Sequence, residues 1–195
     1  MVSAIIPVYN EGKTIGAVLK VLKTHPRIDE IIVVDDGSTD NTASVVSAEK
    51  VVVISLSSNT GKAEAMEVGV SHAQGDILFF LDGDITGFSS DVVDTLLKPV
   101  FSGTHDMFVA VRGRHIALLN KTIHFFPILG GERVVTRKLW ESVPREYKTR
   151  FQIEIALNYY AKRQGKGMGF TVIPNLHHII KEKKYGWKKG LMSRL

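Results

Sequence analysis

The chain has 195 residues, 44% hydrophobic and 23% charged, with a formal net charge of +5; this is the size of one folded domain, and no apolar run approaches the roughly 20 residues that a membrane-spanning helix needs. Cysteine is absent, which excludes disulfides and thiolate metal sites and accords with a cytoplasmic address. The pI near 9.4 fits partners that carry phosphate, and the basic residues crowd the tail, where Lys181, Lys183, Lys184, Lys188, Lys189 and Arg194 face Glu182 alone.

Residues 3–9 form a short apolar run that reads as a buried strand, with no basic segment before it that would suggest a signal peptide. Ile15, Val18, Leu19 and Leu22 follow at helical spacing and predict one apolar face. Residues 30–35 are a second strand, dense in β-branched side chains. Asp36-Gly37-Ser38-Thr39-Asp40 carries turn and helix N-cap chemistry. Residues 51–56 read as a third strand, and Met66, Gly69, Val70 and Ala73 mark the next helical face. A fourth strand at 76–81 ends in Asp82-Gly83-Asp84; Val92, Val93, Leu96, Leu97 and Val100 predict a helix after Ser89-Ser90. The second half is less regular. Residues 107–111 read as a strand; Ile153, Ala156, Leu157, Tyr160 and Ala161 as a helix face closed by Gly165-Lys166-Gly167; and 170–173 as a strand before Pro174. Strands alternating with helices predict an α/β fold, with a Rossmann-like, mostly parallel central sheet covered by helices on both faces. No repeat or linker divides the chain, so 1–195 reads as a single domain.

The polar residues gather where the early strands end: Asn10-Glu11, Asp35-Asp36, the stretch 57–62, and Asp82-Gly83-Asp84. In an open parallel sheet these ends line one edge, where ligands bind. Two carboxylates two residues apart, as in Asp82-x-Asp84, can face one hard cation such as Mg²⁺ or Mn²⁺ and leave positions for substrate phosphates; the plainer alternative is an acidic turn capping the next helix. Asp35-Asp36 can offer a carboxylate to a base or ribose, or Asp36 can serve only its own turn. Gly61-Lys62 lacks the spacing of a phosphate-binding P-loop, yet a lysine at a helix start can meet phosphate or ribose. No dinucleotide fingerprint, serine nucleophile elbow or H-E-x-x-H occurs.

Taken in order, Ile5-Ile6-Pro7-Val8-Tyr9-Asn10-Glu11, Val33-Val34-Asp35-Asp36-Gly37-Ser38-Thr39-Asp40, Asn59-Thr60-Gly61-Lys62 and Leu81-Asp82-Gly83-Asp84 resemble the family-2 glycosyltransferases. The likeness continues more loosely through Gly130-Gly131-Glu132-Arg133 and Phe151-Gln152-Ile153-Glu154. It implies a GT-A fold, with residues 1–90 as the nucleotide-sugar-binding half and 91–195 as the acceptor-binding half. It also implies a metal-dependent glycosyltransferase that uses Mg²⁺ or Mn²⁺ to move a sugar from a UDP- or GDP-sugar. By this resemblance Pro7, Tyr9 and Glu11 hold the nucleoside, Asp36 contacts the base, Lys62 lies beside base or ribose, and Asp82 and Gly83 lie near ribose and metal. Asp84 is then the main metal ligand, joined by a late imidazole from the His177-His178 doublet, where His178 aligns better. Glu132 and Glu154 would position the acceptor. Two branches of the family compete, the polyprenyl-phosphate glycosyltransferases and the glucosyl-3-phosphoglycerate synthases. Both use phosphate-bearing acceptors, which Arg133, Arg137 and Lys181 suit.

Nucleic acid is not an expected partner. The basic tail suits peripheral contact with an anionic inner membrane surface, and a homodimer is left open. Two rivals share the first half: a non-catalytic nucleotide-sugar-binding module, and a receiver-like domain. The acid pair of a receiver should follow the first strand, whereas Asp35-Asp36 follows the second.

Overall fold

The structure is a computed structural model that describes residues 1–112, 130–149, 152–163 and 165–178, with the side chains of Arg112 and His178 outside that description. The expectations for Lys181, the basic tail and the His178 imidazole therefore lie outside the described residues.

The first half alternates as its residue pattern predicts: β1 (Val2–Val8), α1 (Ile15–Thr24), β2 (Glu30–Asp35), α2 (Thr42–Ser47), β3 (Val52–Ser55), α3 (Lys62–His72) and β4 (Ile77–Phe80). There follow β5 (Ile85–Thr86), α4 (Ser90–Phe101), β6 (Met107–Arg112), β7 (Arg133–Thr136), α5 (Arg137–Ser142), a 3-10 turn (Arg145–Tyr147), α6 (Gln152–Arg163), β8 (Met168–Ile173) and β9 (His177–His178). Among the described residues seven strands form one sheet in the order β3-β2-β1-β4-β7-β6-β8, and β5 pairs with β9 in a separate two-stranded piece. The pairs β1–β2, β1–β4, β2–β3 and β6–β8 are parallel, and β7 runs antiparallel to both of its neighbours.

Strand alternation sorts the core into two layers. Ala4, Ile6, Val33, Phe79 and Val134 face the side covered by α1, α2 and α4, where Ile15, Leu19, Val46, Val93, Leu96 and Leu97 bury. Ile5, Leu78, Phe80, Met107, Val109 and Val135 face the other side, against Met66 of α3, Trp140 of α5 and Leu157 of α6. β1 is buried along its whole length because it lies between β2 and β4 under both layers. Pro7 is tolerated there because the β1–β4 ladder ends at the Ile5↔Phe80 pair, so its missing N–H removes no bond on that side.

β7 is absent from the expectation and decides the layout of the second half. Its register runs from Phe80↔Arg133 to Ile77↔Thr136, so the chain enters at the carboxyl end of β4 and leaves at its amino end. Arg137 therefore lies across the sheet from the polar edge. Its Nε and Nη2 donate to the carbonyls of Gly75 (2.8 Å) and Ala73 (2.7 Å), closing the end of α3. The expected phosphate contact for Arg137 is thus replaced by a structural clamp.

Candidate active site

The carboxyl ends of β1, β2, β3 and β4 share one edge, and their loops are tied to one another. Asn10 adopts a left-handed conformation (φ 55°), which a short polar side chain tolerates. Its Oδ1 accepts from the backbone of Thr39 (2.8 Å) and Asp40 (3.2 Å), and its own N–H donates to Ser38 Oγ (2.9 Å). The Glu11 N–H donates to Thr42 Oγ1 at 2.8 Å. The loop after β1 is in this way moored to the loop after β2. Tyr9, 37% exposed, and the half-buried Glu11 are presented at its lip.

Asp36 is 3% exposed. Its Oδ1 accepts from Thr60 N (2.7 Å) and Thr60 Oγ1 (2.9 Å), and its Oδ2 from Gly61 N (2.9 Å). Both oxygens therefore bind the two residues that precede α3, and a carboxylate from the loop after β2 fixes where that helix begins. The signal for this role was present in Asp36 followed at a distance by Thr60-Gly61-Lys62, but only the β2–β3 pairing brings the two together.

Lys62 opens α3 and heads a row of alternating charge. Its Nζ lies 2.5 Å from Asp82 Oδ1 and 3.9 Å from Glu154 Oε1, and Glu154 Oε2 lies 3.7 Å from Arg133 Nη2. The row draws on α3, the turn after β4, the first turn of α6 and the start of β7. Burial works against the lysine charge, yet the field and hydrogen bond of Asp82, reinforced by Glu154 and Glu132, outweigh it and raise the Lys62 pKa above its ordinary value. The Lys62 side chain is 38% exposed, and carboxylates surround its amine. Burial also lowers the Arg133 pKa, opposed by Glu154, Asp82 and Glu132; a guanidinium remains charged across the working range regardless.

Glycines let the backbone close on this row. A Cβ on Gly131 would overlap the Asp82 carboxylate, and one on Gly83 would overlap Glu11 Oε2. Glu132 is fully buried beside them. Arg133, expected to meet an acceptor, is 1% exposed, with Nε (3.0 Å) and Nη2 (2.6 Å) donating to the Gly130 carbonyl. Sequence reading missed the Asp36–Thr60 contact, the Asn10 mooring and the Gly131–Asp82 approach, since each joins residues far apart in the chain.

Asp84 sits half-buried on the turn after β4, directly before β5. The β5–β9 pairing sets Ile85 opposite His178 and Thr86 opposite His177, so the backbone that carries the histidine doublet runs beside Asp84. Gly87 (φ +75°) makes this possible: a Cβ there would collide with the carbonyl of Asn175. Among the described residues no three His, Cys, Asp or Glu side chains form a closed metal cage. An open, carboxylate-led donor set of this kind fits Mg²⁺ or Mn²⁺, which take one or two carboxylates and complete their shells with phosphate oxygens and water. Among the described residues no helix is long and apolar enough to cross a membrane.

Comparison with known proteins gives a family and a fold. The family model described as "Glycosyl transferase family 2" matches residues 3–160. A dodecaprenyl-phosphate galacturonate synthase of Rhizobium johnstonii is 31% identical over 102 residues, 46% of this chain and 30% of that protein. A 4,4'-diaponeurosporenoate glycosyltransferase of Staphylococcus aureus is 36% identical over 99 residues, 48% of this chain and 26% of that protein. The matched stretch thus spans less than a third of either curated relative. Glucosyl-3-phosphoglycerate synthase from Mycobacterium tuberculosis, solved with Mn²⁺, UDP-glucose and phosphoglyceric acid, superposes with a TM-score of 0.78 at 22% identity, over 100% of this chain and 79% of that one. The fold is GT-A.

Proposed function

The chain belongs to glycosyl transferase family 2, and on that premise we propose that it transfers a sugar from a nucleoside diphosphate sugar to a phosphate-bearing acceptor. The observation that carries the reading is the row Asp82–Lys62–Glu154–Arg133 at the carboxyl edge of the parallel sheet, with Asp84 beside it. Support for the ligand classes comes from the relatives: one is a dodecaprenyl-phosphate galacturonate synthase, and another was solved with UDP-glucose, phosphoglyceric acid and Mn²⁺.

In this reading the nucleoside lies along Tyr9 and Glu11, above the buried Pro7, and the loops moored by Asn10 and Asp36 keep that surface in place before the donor arrives. Asp36 serves the donor by fixing Thr60, Gly61 and the start of α3. The diphosphate lies across Gly83 toward Lys62, whose charge offsets the negative charge that grows on the β-phosphate oxygen as its bond to the anomeric carbon breaks. A Mg²⁺ or Mn²⁺ ion held by Asp84, with Asp82 and His178 as further candidates, would supply Lewis-acid stabilisation of the same leaving group. Glu154 faces the acceptor side and orients it for attack, while Glu132, expected to share that role, is fully buried and supports the site from behind. The acceptor oxygen forms the new bond to the anomeric carbon as the nucleoside diphosphate departs. An acceptor that attacks through a phosphate oxygen is already an anion and requires no protein base.

A thermal-shift series tests this reading, using UDP, UDP-glucose, GDP and GDP-mannose, each with and without Mn²⁺. A ligand at 100 times its dissociation constant adds about 2.7 kcal/mol, which at about 2–4 °C per kcal/mol for a domain of this size is a rise of about 5–11 °C. Asp84→Ala should abolish the Mn²⁺-dependent part while changing the urea stability by no more than about 0.5 kcal/mol. If no nucleotide diphosphate shifts the wild-type melting point, the reading fails. Binding without turnover over a panel of phosphorylated acceptors would favour a nucleotide-sugar-binding module instead.

A further inference from the structure

Arg133 is a cation at the site that substrate could reach only by displacing protein. Its guanidinium is 1% exposed. One edge of the fork, Nε and Nη2, converges on the Gly130 carbonyl; Nη2 also faces Glu154 Oε2 at 3.7 Å, and Nη1 meets Met107 Sδ at 4.0 Å. The turn it holds is wedged on both sides. The α-carbon of Gly130 lies against the Ala110 carbonyl of β6 and that of Gly131 against the Asp82 carboxylate, with no room for a side chain at either. The next residue continues the contact, since the Glu132 carbonyl accepts from Ala110 N at 2.9 Å.

Resting on the transfer reading above, we propose that Arg133 is a positioning residue: it clamps the Gly130–Gly131 turn against Asp82 and anchors Glu154, without touching donor or acceptor. A buried guanidinium is tolerated where its donors are satisfied and an opposite charge is close. Here the fork binds one carbonyl with two N–H groups and leaves Nη2 turned to Glu154. The clamp thereby couples three elements of the site: the turn before β7, the Asp82 turn after β4 and the first turn of α6. Lysine keeps the charge but has no planar fork, so Arg133→Lys should restore only part of the function.

The test compares Arg133→Lys, Arg133→Met and Arg133→Met/Glu154→Gln with the wild type. The substrate-free measurement is amide hydrogen exchange at Ala110, whose N–H is bonded to the Glu132 carbonyl. Exchange there should quicken by about tenfold or more in Arg133→Met, with β1 and β4 unchanged, because the opening is local. The kinetic measurement is UDP release from UDP-glucose and Mn²⁺ with 3-phosphoglycerate as the acceptor probe. The kcat should fall by about 10–100-fold, the scale of a misplacement on the order of 1 Å, while KM for phosphoglycerate and Kd for UDP with Mn²⁺ stay within about threefold. Adding Glu154→Gln should cost little more, since the two residues act as one unit.

A tenfold or greater rise in KM for phosphoglycerate at unchanged kcat would make Arg133 an acceptor ligand and overturn the proposal. So would unchanged exchange at Ala110. Should Arg133→Met fail to fold, Arg133→Lys is read on the same scales. A wild type that releases no UDP counts against the transfer reading alone, and the exchange at Ala110 still decides the clamp.

Discussion

Replacing Lys62 by methionine removes one charge and keeps nearly the same chain length. The amine lies 2.5 Å from Asp82 Oδ1 and 3.9 Å from Glu154 Oε1. A hydrogen bond to a charged group contributes about 1.5–3 kcal/mol in typical settings. The Lys62 side chain is 38% exposed and that of Asp82 16%, so the pair is partly screened and the expected stability loss is about 1 kcal/mol, or about 2–4 °C for a domain of this size. The pH dependence follows from the direction of the shift. The folded-state pKa of Lys62 lies above its ordinary value of 10.5. The contribution is therefore complete below the unfolded pKa and is lost only as pH climbs through the folded one, so the gap between wild type and variant should be constant from pH 6 to 9. Donor binding should suffer more, because the cluster loses the cation proposed to face the diphosphate. A lost charge-assisted contact of about 1.5–3 kcal/mol weakens UDP by about 10–100-fold. Urea titrations at pH 6 and 9, with calorimetry of UDP and Mn²⁺, measure both quantities. A UDP dissociation constant within twofold of wild type, or a stability gap that closes by pH 9, would refute the reasoning.

Other variants probe the same layout from different sides. Gly87→Ala meets a left-handed backbone (φ +75°) and the Asn175 carbonyl; it should destabilise the protein by at least about 1–2 kcal/mol and weaken Mn²⁺ binding, measured by metal titration, because the β5–β9 pairing opens. Arg137→Met removes two bonds to the carbonyls of Ala73 and Gly75 and should lower urea stability by about 2 kcal/mol. Its UDP affinity should match wild type, since it lies at the opposite end of β4; a selective loss of UDP binding would contradict the strand direction of β7.

The parallel half of the molecule was legible because its signals are local. The strands at 30–35 and the helix faces of Ile15, Val18, Leu19 and Leu22 and of Val92, Val93, Leu96, Leu97 and Val100 appear in the structure with those residues buried, apart from the first two residues of β2. Strand ends rich in Asn, Asp and Gly marked the edge where Glu11, Asp36, Lys62, Asp82 and Asp84 lie. The second half carried weaker signals. β7 has four residues, begins with an arginine and follows Gly130-Gly131-Glu132, so its pattern resembles a loop more than a strand. Without it, Arg133 and Arg137 look like equivalent phosphate ligands four residues apart. β5 and β9 have two residues each, too short for any periodicity.

The sequence by itself determined the alternation of strands and helices and the acidic rim they share, because apolar periodicity and turn chemistry act over a few neighbouring residues. Only the tertiary structure decided which of those polar groups hold the site together. Asp36 spends both oxygens on the start of α3, Arg133 is sealed beneath the Gly130–Gly131 turn, and Arg137 is carried to the far edge by an antiparallel strand. The physical reason is that a side chain's role depends on which distant backbone groups surround it, and strand direction and register set those partners.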